Sequence, residues 1–148
     1  MPWWKPWGSD GSPGKEKPDY YEEGIDLSRQ ERFHEALTSF RLALRENPRD
    51  AAALEQMAVV YTRIGMSDEA IKMYARALAE RPTSAAAHYG IAFLLLNRGR
   101  NEAAAEHLRA FLEQPRTDDD LEKHSEHARV TLDRILATGD AGTADGIQ

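Results

Sequence analysis

From residue 18 onward, apolar side chains return at steps of three and four, and polar residues fill the positions between them. That period is the signature of amphipathic helices, each burying one stripe. The pattern breaks at short polar or glycine-containing stretches and predicts helices over 18–29, 33–46, 51–64, 67–80, 84–98 and 101–113. Gly65 and Gly99 fall just past two of these runs, where a helix C-terminus favours glycine. Ser67, Ser84 and Asn101 stand at helix starts as expected N-caps. Residues 117–137 open on acidic residues and then place Leu121, Ala128, Leu132 and Ile135 on one face of a further helix. Its other face is charged, with Glu122, Lys123, Glu126, Arg129 and Asp133.

The runs are copies of one another at a step of 34 residues. Gly24 leads to Ala58 and Ala92, Leu27 to Tyr61 and Leu95, Ala36 to Ala70 and Ala104, and Phe40 to Tyr74 and Leu108. Ala43 and Ala77 form another ladder until Phe111 breaks it, and Pro48 is followed by Pro82 until Arg116 does the same. Small residues recur where helices must approach closely. Several ladders sharing one period identify a repeat array.

This pattern resembles the tetratricopeptide repeat (TPR) family, whose unit is a pair of antiparallel helices with small residues at the close-packing points and a terminal proline. The resemblance implies an all-α, right-handed α-solenoid of three helix-turn-helix units closed by a seventh, capping helix. The expected division is a leader at 1–16, units at 17–50, 51–84 and 85–118, the capping helix at 119–137 and a disordered tail at 138–148.

Composition narrows the function. The chain has 148 residues, a formal charge of −6 and no cysteine, so it lacks the clustered basic surface of a general nucleic-acid binder, and it has no thiolate chemistry. The longest purely apolar run, residues 91–96, is too short to span a bilayer, and the N-terminus has no apolar secretion segment, so a cytoplasmic protein is expected. No phosphate loop, nucleophile elbow or HExxH motif occurs, so no enzyme and no cofactor is expected. His124 and His127, three residues apart beside Asp118, Asp119, Asp120 and Glu126, are the best metal candidates, but two histidines are not a site, and a solvated helix with acids at its positive end explains the same residues, so no metal is expected. His34, His88 and His107 are scattered over separate helices and read as packing or solvated residues.

The family resemblance implies that ligands lie in the concave face lined by the first helix of each unit. In this chain that face carries Tyr21, Glu55, Tyr89 and Lys123 in one row, Ile25, Val59, Phe93 and His127 in the next, and Ser28, Thr62, Leu96 and Val130 in a third, edged by Arg29, Arg63 and Asn97. Such a floor suits a protein segment with apolar anchors and some acidic character. Phe93 is the expected central anchor, with Gly90 leaving room beside it. The family's clamp for chaperone C-termini uses Lys and Asn at these rows, and Tyr21, Ile25, Glu55, Val59, Tyr89 and Phe93 stand there instead. Two functions fit: an adaptor holding a partner segment, or a small chaperone shielding an apolar segment of a client such as a secreted protein. Oligomeric state is open.

Trp3, Trp4 and Trp7, spaced by Pro2 and Pro6, are followed by a Gly/Ser-rich stretch. Pro-spaced indoles favour extended conformations, so the segment reads as a disordered leader, as a plug for the chain's own groove near Tyr21 and Ile25, or as a contact that recruits another protein.

Overall fold

The computed structural model describes residues 17–115 and 119–145. Among these, the helices are α1 (Tyr20–Arg29), α2 (Phe33–Glu46), α3 (Ala51–Arg63), α4 (Ser67–Glu80), α5 (Ala85–Asn97), α6 (Asn101–Glu113) and α7 (Asp119–Asp145). The expected leader, with Trp3, Trp4 and Trp7, lies outside the described residues, as do Arg116 and Asp118. Helices pack in pairs, α1 on α2, α3 on α4 and α5 on α6. Each pair then leans on the next, with α7 against α6. This is the expected solenoid.

Each turn within a pair is built alike. The amide of Arg32 donates to Leu27 O at 2.9 Å, that of Met66 to Tyr61 O at 2.8 Å and that of Arg100 to Leu95 O at 3.0 Å. The residue before each donor has positive φ: Glu31 at 59°, Gly65 at 81° and Gly99 at 73°. These are helix ends closed by a left-handed residue, and a Cβ at Gly65 or Gly99 would touch nothing, so only the backbone angle calls for glycine there. Glu31 holds the same angle with a side chain. A left-handed residue other than glycine costs about 1–2 kcal/mol, and glycine's extra freedom in the unfolded chain offsets about 0.4–1 of that. Glu31→Gly is therefore expected to stabilise the protein by roughly 0.5–1 kcal/mol, read as a higher urea midpoint at unchanged slope, despite the loss of the exposed Arg63–Glu31 ion pair.

Helix starts alternate in kind. The first helices are capped by side chains: Asp19 accepts from Glu22 N, Asp50 from Ala53 N and Ser84 from Ala87 N. The second helices start after Arg32, Met66 and Arg100, with no side-chain cap. Ser67 and Asn101 are thus the first helical residues rather than caps, because the left-handed turn sets the backbone one residue earlier. The other difference is at the end of the chain. Helix α7 continues to Asp145, past the expected end at 137, and Thr138 Oγ1 donates back to Arg134 O and Ile135 O.

The core runs along the stack. Ala36, Ala70 and Ala104 are fully buried, and so are Phe40 and Leu108 of the next ladder. Gly24 is a close-approach point, since a Cβ there would lie 2.5 Å from the Phe40 ring. On α7, Ala128, Ser125, Thr131 and Ile135 are buried, and its remaining described side chains are half-buried or exposed, so one stripe faces the stack.

Candidate functional site

The open face is formed by α1, α3 and α5, with α1 touching α3 and α3 touching α5, and α7 closes it at one end. Of the residues expected to line it, Tyr21, Ile25, Glu55, Tyr89 and Phe93 are half-buried, whereas Arg29, Val59, Arg63, Asn97 and His127 are exposed. Tyr21 and Ile25 lean on the core, and the Tyr21 ring lies 6.0 Å from that of Phe40.

At the α5–α7 end, aromatic rings gather around Tyr89. Its ring centroid lies 4.8 Å from Phe93, 5.1 Å from Phe111 and 4.9 Å from His124, which meets it edge-on. His127 stacks flat on Phe93 at 4.8 Å, with 8° between the ring planes. Tyr89 Oη is 2.9 Å from His127 Nδ1. Burial pushes the Tyr89 phenol up from its ordinary value, so it stays protonated beside the imidazole nitrogen. His124 and His127 therefore both serve to hold Tyr89 and Phe93. Among the described residues, no group of three or more His, Asp or Glu is placed to hold a metal.

Beside this cluster is a hollow of about 290 Å³, walled by Val59, Tyr74, Tyr89 and Phe111, with Glu55 and His124 at its polar edge. Glu55 accepts from Ser84 Oγ, which fixes its carboxylate at the start of α5. Burial, and Glu55 after it, push the Tyr74 phenol up to about 12, so it too stays neutral. The room expected next to Gly90 is filled, because a Cβ there would sit 2.4 Å from Tyr74 Cζ. Glycine at this position admits the tyrosine ring, and its backbone also borders the hollow. Tyr74, Phe111 and His124 were not anticipated as lining residues. The signal for Phe111 was its departure from the small-residue ladder of Ala43 and Ala77.

The arginines at the rim are engaged. Arg29 pairs with Asp26 at 3.3 Å, and Arg63 pairs with Glu31 at 3.1 Å while its guanidinium lies 5.0 Å over the Phe33 ring. The face thus offers apolar surface before it offers free positive charge.

His88 and His107, expected to be unrelated, meet between α5 and α6 with their Nδ1 atoms 3.0 Å apart. His88 Nε2 lies 2.7 Å from Pro82 O, which can only accept, so this nitrogen carries hydrogen and His107 Nδ1–H donates to His88 Nδ1. Burial, then the neighbouring His88, push His107 below its ordinary value, against a smaller opposing effect of Glu106. A histidine held neutral in the folded state gives stability that is complete above about pH 6.5 and is lost as pH falls through its lowered value. The wild type is accordingly expected to lose more stability than His107→Gln between pH 7.5 and 5, as denaturant midpoints would register. Equal losses would detach the pair from acid sensitivity.

Stacked helix pairs with an open face and one closed end define a helical-repeat scaffold whose chemistry is recognition by surface. Two tetratricopeptide repeat family models match it, one over residues 21–65 and one over residues 65–123. The chain belongs to the tetratricopeptide repeat family. Among curated relatives it is 33% identical over 89 residues to the photosystem I assembly protein Ycf3 of Synechococcus sp. (strain WH7803), covering 58% of this chain and 51% of that protein. It is 29% identical over 102 residues to the peroxisomal targeting signal receptor of Candida glabrata, covering 69% of this chain but 17% of the receptor. The chain thus spans only part of these relatives. Its fold matches that of the type III secretion translocator chaperone SycD of Yersinia enterocolitica, with a TM-score of 0.74 at 16% identity over 82% of this chain and 83% of that one.

Proposed function

We propose that the open face binds a segment of a partner protein through an apolar anchor seated in the hollow beside Tyr89, making the protein an adaptor without catalytic activity of its own. The observation that carries this reading is the open hollow walled by Tyr74, Tyr89, Phe111 and exposed Val59, with Phe93 and His127 packed beside Tyr89 next to it. Rings held by neighbours lose little entropy when a ligand covers them, which suits a binding hot spot. Acidity in the partner is secondary, since Arg29 and Arg63 already have carboxylates. A cytoplasmic setting belongs to the same reading, and among the described residues no helix is long and apolar enough to cross a membrane.

A second reading, a small chaperone for an apolar client segment, is favoured by one observation. The SycD chain determined with a peptide of the translocator YopD matches at a TM-score of 0.74, covering 81% of this chain and 92% of that one. The likeness in fold therefore extends over most of a chaperone chain that was determined with a peptide of a translocator.

Both readings place the anchor at Phe93, so Phe93→Ala is expected to weaken partner binding by about 2 kcal/mol, roughly 30-fold, while leaving the helical signal intact. Immobilised wild-type and variant chains would be incubated with lysate, and captured proteins quantified by mass spectrometry. The strongest captured segment would then be synthesised and titrated calorimetrically. Equal affinity for both chains would remove the Tyr89–Phe93 ring cluster from the binding site. A single unstable client favours the chaperone, and members of a stable complex favour the adaptor.

A further inference from the structure

The two ends of the stack are treated differently. At positions repeated every 34 residues, Leu54 and Tyr61 of the second unit are 1% and 7% exposed, and Leu95 of the third is 3% exposed. Tyr61 faces the preceding unit, where Arg41 of α2 donates to its hydroxyl at 3.1 Å. Leu27, the first-unit counterpart of Tyr61 and Leu95, is only half-buried, because among the described residues no unit precedes it, and Tyr20 on the same helix is half-buried too. Together with Leu42 of α2 they surround a hollow of about 240 Å³, bordered by Glu23 and Glu35. Glu35 is bound by Arg32, whereas Glu23 has no ion pair among the described residues. Position 23 is itself a departure, since its counterparts Met57 and Ile91 are buried.

We propose that this end face is covered by the chain's own segment Trp3–Trp7, with indoles on Tyr20, Leu27 and Leu42 and the Lys5 ammonium against Glu23. Three features select this occupant. The chain enters α1 at the right place, because Lys17 pairs with Glu46 at 3.0 Å, one turn beyond Leu42 on α2. The ten residues from Gly8 to Lys17 have a random-coil reach of about 16–19 Å, which spans the roughly 15 Å length of α1. Finally, the segment's charge and apolar content complement the face, a cation and three indoles meeting a free carboxylate and three half-buried apolar residues. This proposal is independent of what the concave face binds.

The chain's tryptophans are Trp3, Trp4 and Trp7 alone, so intrinsic emission reports on this segment directly. In the full chain, emission is expected to be blue-shifted and shielded from acrylamide relative to the same chain in denaturant, independent of protein concentration. Leu42→Glu is expected to abolish the shielding, while Val59→Glu on the concave face leaves it unchanged. Should Leu42→Glu fail to fold by circular dichroism, Glu23→Lys provides the same test from an exposed position by repelling Lys5, and should raise the quenching constant at an unchanged melting curve. Fully wetted emission from the wild type overturns the proposal. Release by Val59→Glu alone assigns the segment to the groove instead, and shielding that appears only at high concentration assigns it to a second copy. Both of those outcomes also overturn it.

Discussion

A chain ending before α7 is expected to melt at least about 10 °C below the full protein, with a less cooperative transition. Helix α7 contributes Ala128 and Ile135 to the core and lies on α6, where Phe111 is 3% exposed and Leu108 fully buried. Removing it exposes these two large side chains to water at about 1.5–3 kcal/mol each, so roughly 3–6 kcal/mol against a total stability of about 5–15. The helix also keeps a charged outer face, as the last element of an array must in order to stay soluble. A matched deletion of 138–148 separates this effect from simple shortening. Residues 136–139 are exposed, so that chain should melt close to the parent. Equal melting of the 119–148 deletion and the parent would show that α7 does not cap the stack.

Phe40→Ala is expected to cost about 3–5 kcal/mol, the loss of a fully buried ring plus the cavity left behind. The ring fits because Gly24 lies beneath it, and this makes the partner substitution informative. By helix propensity alone, Gly24→Ala would stabilise α1 by about 0.5–1 kcal/mol. With its Cβ 2.5 Å from a buried ring, the sign reverses and a loss of about 1–3 kcal/mol is expected. Combining Gly24→Ala with Phe40→Leu should recover part of that loss, since leucine leaves space where the ring edge was. Chemical denaturation of the four proteins measures the coupling directly. Additive losses would mean that the two residues do not share the same space.

The helix pairs and their order were legible in the sequence because close packing restricts a few positions severely. Ala36, Ala70 and Ala104 cannot be larger, and their spacing alone fixes the repeat length. The helix starts at Ser67 and Asn101 were misread because serine and asparagine are good caps in isolation, whereas here a left-handed turn has already set the backbone. In the site, the Ile25–Val59–Phe93–His127 row could be read as a ladder, and the structure stacks its last two members. The hollow could be read only in part, because Glu55, Val59 and Tyr89 belong to such ladders while other parts of its wall depart from the repeat. Phe111 replaces a small residue, and Tyr74 occupies the space that Gly90 leaves. The His88–His107 contact joins residues 19 apart, a distance unrelated to the period, so no pattern announced it.

The alternation of helix starts has a consequence for how such a protein can change in size. Asp50 and Ser84 play the same part at successive junctions, each capping the helix that begins the next unit. A duplicated stretch of 51–84 placed after Ser84 would begin behind a cap and end with one, leaving both flanking joints chemically as they were. A globular protein enlarged in this way would have to rebuild its interior, because its volume outgrows its surface. In this chain the interior is a strip of constant width, so length can be added or removed by in-frame copying while the ends stay the same. The readable surface then grows in proportion to the chain, one row of side chains per copy, and new specificity can arise at a duplicated row while the original rows keep theirs.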